Sequence, residues 1–249
     1  MRFAVMRVRD WIKEPISSLL DVGCNDGAWL ADCARWSASA RLAGVDINST
    51  AVNQARKRVP NAEIHNAGAE RLPFHDASFQ YVTCMEVLEH LPAALRAEAF
   101  REIHRVLRPG GRLVLTVPHA GWFTWLDCNN LRYRFPCFYN RLIHKGLRDS
   151  CYESIGREVE WHHHFNLTEI MNLAGEGWTL VAVSYGGLFV FPLMDLMSWP
   201  FYRLGKTDHL LRRLFERIAA WDYRISFGPA SYGVLVVLEH LDNQKHKEI

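Results

Sequence analysis

Short apolar runs alternate with stretches of helical periodicity along the first half of the chain, and few architectures accept that order. A strand that feeds a helix and then another strand builds a parallel sheet. Residues 19–24 (LLDVGC), 41–47 (RLAGVDI), 62–67 (AEIHNA), 79–86 (FQYVTCME) and 112–118 (RLVLTVP) read as five such strands. A helix is expected over 28–36. A second spans 49–59, with Ser49 or Asn48 as its cap and Pro60 beyond its end. A third spans 92–107, with Pro92 in its first turn and Leu95, Ala99, Ile103, Val106 and Leu107 at helical spacing. Residues 108–111 (RPGG) read as a turn. The alternation resumes with a helix over 167–174, capped by Thr168 or Asn166, and strands over 178–185 and 231–240. Residues 119–160 and 186–230 break the pattern and read as two insertions in one α/β domain spanning 1–249. With 49% hydrophobic and 22% charged residues among 249, the chain has enough apolar material for such a core.

Composition narrows the functions. The formal net charge is +2 with no strong basic stripe, which argues against a nucleic-acid partner. Cysteines 24, 33, 84, 128, 137 and 151 form no CxxC pair, so free thiols in a reducing, cytoplasmic compartment are expected. The first residues lack an apolar signal-peptide core. The longest apolar run, LFVFPLM at 188–194, is far short of the roughly 20 residues of a spanning helix.

The first strand ends in an acid and a glycine turn, DVGCNDG at 21–27. Parallel sheets bind ligands at the carboxyl ends of their strands, so this turn is the expected site. A dinucleotide needs G-x-G-x-x-G, because its pyrophosphate must approach bare backbone. At those three positions stand Gly23, Asn25 and Ala28, a poor match. An adenosine ligand without phosphates needs less: a tight turn, and an acid for the ribose hydroxyls at the end of the second strand. Asp46 stands there. Asn25 tolerates a positive φ better than other non-glycine residues, so the turn can survive it.

With GVDIN at 44–48, AERLPFHDASF at 69–79, EVLEHL at 86–91 and LRPGGRLVLTVP at 107–118 following in order, the chain resembles the class I S-adenosylmethionine-dependent methyltransferases of the type 11 group. The resemblance covers residues 19–118. It implies a Rossmann-like, doubly wound, seven-stranded and mostly parallel sheet with an antiparallel last strand. It implies S-adenosyl-L-methionine as cofactor. Asp21, Gly23 and Gly27 would shape the pocket for the methionine end, with Asn25 completing the turn. Asp46 would hold the ribose diol, and Ile47 would pack on the adenine. Ala69 and Glu70 would edge the ring, and Glu86 would lie near the methyl-donor pocket. Gly68 stands where the family often has an aspartate, which shifts that contact to backbone or to Glu70.

Methyl transfer to a hydroxyl needs a proton acceptor. His119, just after the fifth strand, and His162, His163 and His164 are the leading candidates, with His90 a further one. Three successive histidines suggest a metal, but neighbours along an extended chain point apart and a third ligand would have to come from elsewhere. No metal is therefore expected there. The string CMEVLEHL also resembles ubiquinone-biosynthesis O-methyltransferases, in which residues matching Glu86, Glu89 and His90 can bind a divalent ion; it is weak evidence for a metal.

In this family acceptor specificity comes from inserted segments. Residues 119–160 form a lid candidate, with Trp122, Phe123, Trp125, Tyr133, Phe135, Phe138 and Tyr139. The second insertion carries an amphipathic helix with Leu210, Leu211, Leu214, Phe215, Ile218 and Ile225 near one face. Arg203, Lys206, Arg212, Arg213, Arg217 and Arg224 add positive charge. A lid packed on protein is the favoured reading. The alternative is peripheral membrane contact through 186–225 at the inner face of the membrane, which would make the acceptor lipid-linked, such as a quinol or glycolipid. The expected function is O-methylation of a small or lipid-linked acceptor (quinol, glycolipid or sugar). An NAD-type oxidoreductase and a non-catalytic binding module are the alternatives.

Overall fold

The computed structural model describes residues 7–13, 15–127, 130, 134–135, 162–203 and 209–241. Tyr133, Phe138, Tyr139 and Lys206 lie outside the described residues. Seven strands form one sheet: β1 (Ser18–Val22), β2 (Arg41–Asp46), β3 (Glu63–Asn66), β4 (Phe79–Met85), β5 (Leu107–Pro118), β6 (Trp178–Gly186) and β7 (Gly233–His240). Their order is β3-β2-β1-β4-β5-β7-β6. β1 pairs in parallel with β2 and β4, β2 with β3, and β4 with β5. The sheet is mixed, with β7 running antiparallel. Among the described residues these helices accompany it: α1 (Ala28–Trp36), α2 (Ser49–Arg58), α3 (Ala93–Val106), α4 (Leu167–Ala174), α5 (Val190–Arg203) and α6 (Leu210–Tyr223).

β1 is buried at every residue, as a central parallel strand covered on both faces must be. That burial includes Asp21 beside Leu19, Leu20 and Val22. α2 begins where the Asn48 side chain accepts hydrogen bonds from the Thr50 and Ala51 amides, so Asn48 is its cap. The sequence misplaces the start of β5. Phe79 pairs with Leu107 and Tyr81 with Arg112, so the strand starts at Leu107 and the RPGG turn bulges out of the ladder. Gly110, at φ +73°, provides the left-handed residue this bulge requires. Cys24, Cys33 and Cys84 are buried free thiols.

The chain divides into two compact units. The first comprises residues 1–117, 167–183 and 235–249; the second comprises 118–166 and 184–234. The two inserted segments therefore fold together as one unit. Within that unit, α5 and α6 form a helical hairpin. Asp222 of α6 is buried, and its Oδ2 accepts hydrogen bonds from the Leu188 and Phe191 amides at the start of α5, at 2.9 and 2.8 Å. The orphan amides of one helix are thus satisfied by a side chain of the next. Phe191 packs against Tyr223 and Tyr232, with ring centroids 4.9 and 5.4 Å apart.

The other face of α6 is apolar and is not covered by the described residues of the chain. Leu210, Leu211, Leu214, Ile218 and Trp221 are exposed, Leu210 at 78% and Trp221 at 63%. They share about 100° of helical arc, and the exposed Arg213, Arg217 and Arg224 lie beside them. No described helix is long and apolar enough to cross a membrane.

Candidate active site

The loops that follow β1, β2, β3 and β4 all leave the sheet at its carboxyl edge. The turn after β1 is docked on β2: the Gly23 and Cys24 amides donate to the Val45 carbonyl at 2.8 and 2.9 Å. Gly23 (φ +76°) and Gly27 (φ +75°) take left-handed conformations, and Asn25 joins them at φ +47°. A Cβ on Gly23 would meet Val87 Cγ2 at 2.3 Å, so glycine is required by space as well as by φ.

Asp46 closes β2 and faces this turn. Its Oδ2 accepts from the Asn25 amide and its Oδ1 from the Asn48 amide, both at 2.8 Å. Each carboxylate oxygen has two acceptor sites, so the two amides orient the group and leave it able to take a pair of hydroxyls. Asn66 of β3 supports the loop from below, donating to the carbonyls of Asp46 (2.8 Å) and Ile47 (2.9 Å). Ala69 is buried. The Glu70 carboxylate folds back over Gly68, where an added Cβ would meet Oε2 at 2.3 Å. A side chain at 68 would have to displace the flexible end of Glu70, the residue expected to take over its contact.

Asp21 sits in the buried strand beneath the turn. Burial pushes its carboxyl up to about 7; the Thr83 hydrogen bond opposes the shift and the negative Asp46 adds to it. Thr83 Oγ1 donates to Asp21 Oδ1 at 2.8 Å and accepts from the Trp29 indole at 3.2 Å. Glu86, past the end of β4, is held at φ +55°, a costly conformation for a side chain of this size. Its Oε1 accepts from Thr116 Oγ1 at 2.9 Å and its amide donates to the Thr116 carbonyl at 3.0 Å. Sequence reasoning missed Trp29, Thr83 and Thr116. Period-two alternation on β4 and β5 placed polar threonines among apolar neighbours and was the available signal.

The histidines separate. His90 is on the surface of a 3₁₀ turn (Leu88–His90), its Nε2 3.9 Å from the buried Glu89 carboxylate. Glu86 instead turns to Thr116. In the second unit His119 is buried, with Nδ1 3.0 Å from the Ser231 carbonyl and its ring edge-on to Tyr185. A carbonyl only accepts, so Nδ1 carries the proton and Nε2 the lone pair. Burial holds this imidazole below its ordinary range, against the Ser231 hydrogen bond.

Within the same unit, adjacent members of the histidine run point apart. His163 packs edge-on against Phe165 at 4.6 Å. His162 and His164 both turn to Asp127, a residue the sequence did not single out. His162 Nδ1 lies 2.6 Å and His164 Nε2 3.4 Å from Asp127 Oδ2. Burial pushes His164 down to about 4, with Asp127 opposing the shift.

The strand order, with β7 entering between β5 and β6, and the acid–glycine–acid arrangement at the carboxyl edge define the class: the Rossmann-like fold of the S-adenosylmethionine-dependent methyltransferases. A solved S-adenosylmethionine-dependent methyltransferase from Methanosarcina mazei has this fold, with a TM-score of 0.59 at 21% identity, covering 94% of this chain and 97% of that one. Residues 20–115 match the family model described as a methyltransferase domain. The 27-O-demethylrifamycin SV methyltransferase of Amycolatopsis mediterranei is 37% identical over 103 residues, 39% of this chain and 37% of that protein. The demethylmenaquinone methyltransferase of Chlorobaculum parvum is 34% identical over 106 residues, 43% of this chain and 42% of that protein. Residues 20–115 thus carry a methyltransferase domain of the type 11 kind. It spans less than half the length of the curated relatives it matches.

Proposed function

We propose that the protein transfers a methyl group from S-adenosylmethionine to an oxygen of a small or lipid-linked acceptor. The observation that carries the cofactor reading is Asp46, whose two carboxylate oxygens are each aligned by one backbone amide beside a glycine turn. That donor set suits a ribose diol. Gly23, Asn25 and Gly27 would pass the methionine end over bare backbone, and Asp21 would offset its positive charge. Ile47, Ala69 and Glu70 would border the adenine, and Glu86 would stand beside the methyl-donor pocket. When bound, the cofactor supplies an already activated methyl group, so the residues mainly orient the acceptor and exclude water. His119, which follows β5 directly, is the proposed proton acceptor, since its Nε2 carries the free lone pair at neutral pH.

An oxygen acceptor is supported by the name of the rifamycin relative, and a lipid-linked one by that of the menaquinone relative. The exposed apolar face of α6, edged by arginines, also favours a lipid-linked acceptor, because it suits an anionic membrane surface. A thermal-shift comparison tests the cofactor: S-adenosylhomocysteine should raise the melting temperature and NAD(H) should not. Stabilisation by NAD(H) alone would make the protein an oxidoreductase.

A further inference from the structure

Asp127, His162 and His164 converge in the second unit. Each offers one ligand atom, and these atoms all lie within 4.8 Å of one another. The Asp127 side chain is wholly buried, and those of His162 and His164 are exposed by only 10% and 8%.

A carboxylate–histidine hydrogen bond alone accounts for His162 but not for His164. His164 Nε2 is buried and makes no hydrogen bond among the described residues. Leaving such a nitrogen unsatisfied is costly. It nevertheless points at the oxygen that His162 already engages. We propose that Asp127, His162 and His164 bind a divalent cation of the zinc class.

Two imidazole nitrogens and one carboxylate oxygen are a borderline donor set that suits zinc, with a fourth position left open. Metal–ligand bonds of about 2.0–2.2 Å in a tetrahedron set ligand atoms about 3.4 Å apart. The His164–Asp127 separation already has that value, 3.4 Å. The His162–Asp127 pair, at 2.6 Å, must open slightly as the ion replaces the proton between them.

The backbone of His162 is braced for this role. Its amide donates to Asn130 Oδ1 at 2.8 Å, and its carbonyl accepts from Asn130 Nδ2 at 2.9 Å. Such outer support fixes the orientation of a ligand. Alternation along the chain puts His162 and His164 on one side, with His163 set against Phe165 on the other. The third ligand comes from 35 residues earlier, which is why the triple histidine did not disclose the site by itself.

The test does not depend on methyl transfer. The full chain, stripped with a chelator and freed of any affinity tag, is titrated with zinc by calorimetry, and retained metal is measured by mass spectrometry. One equivalent per chain is expected. His164→Ala should weaken that binding more than about tenfold, and His163→Ala should leave it within twofold. Cobalt in place of zinc should give the visible absorption of a low-symmetry site in the wild-type chain, a readout that survives if a variant misfolds. No stoichiometric zinc and no cobalt absorption would overturn the site, as would equal losses in His163→Ala and His164→Ala with both variants folded.

Discussion

Asp46 is the residue on which the cofactor reading turns. Asp46→Ala should weaken S-adenosylhomocysteine binding about tenfold or more, from loss of charge-assisted hydrogen bonds worth about 1.5–3 kcal/mol. Unchanged affinity in calorimetry would remove Asp46 from the site. Asp21 gives a second, pH-dependent signature. Its carboxyl is raised from 3.8 to about 7, so the folded chain keeps a proton that the unfolded chain releases. The stability it contributes is fully present below 3.8 and is lost as pH rises towards 7. Binding of the cationic methionine end should run the other way and strengthen as pH rises through about 7, when Asp21 becomes charged. Asp21→Asn should flatten both trends in calorimetry and thermal melts; a steep profile in the variant would assign them elsewhere. At this scale the sequence was informative where chemistry and position coincide. Asp21, Gly23, Asn25, Gly27 and Asp46 all sit around one turn. Asp127 was invisible, because nothing in its neighbours announces a partner 35 residues away.

At the level of elements, α1 was legible to the residue and α2 and α3 to within one, because α1 follows a glycine turn directly and α2 and α3 have a proline or cap near an end. β5 was not, because a ladder that resumes on both sides of a glycine bulge looks like a turn followed by a shorter strand. The α5–α6 hairpin depends on a contact of the same hidden kind. Asp222→Ala strips two amides at the start of α5 of their acceptor and should destabilise the protein by about 1–3 kcal/mol. A denaturation midpoint unchanged from wild type would show that water replaces the carboxylate at no cost. The exposed face of α6 leads to a different measurement. Wild-type protein should co-sediment with vesicles containing phosphatidylglycerol, and the pair Leu214→Ser and Trp221→Ser should abolish it without lowering the melting temperature. Sedimentation equal to wild type, or a wild type that stays in the supernatant, would leave that face to a second protein chain.

For the whole molecule, amide exchange should be slowest in β1 and β4, the buried strands at the middle of the sheet, and fastest on the exposed face of α6. Faster exchange in β1 than in α6 would contradict this order. The sequence disclosed the sheet from β1 to β5 because those strands follow one another along the chain, with a helix between all but β3 and β4. It left open that residues 118–166 and 184–234, split by a stretch of the first unit, close into a unit of their own. The position of β7 between β5 and β6 also orders events in time. β7 is made after all the other strands, so while the ribosome is still completing residues 184–232, neither the β5 edge nor β6 has its native neighbour. During synthesis the inner edge of a central strand is open to pairing with other nascent chains, and its closure waits on a contact far along the chain. A cell making this protein quickly would meet aggregation at that edge before any loss of catalysis.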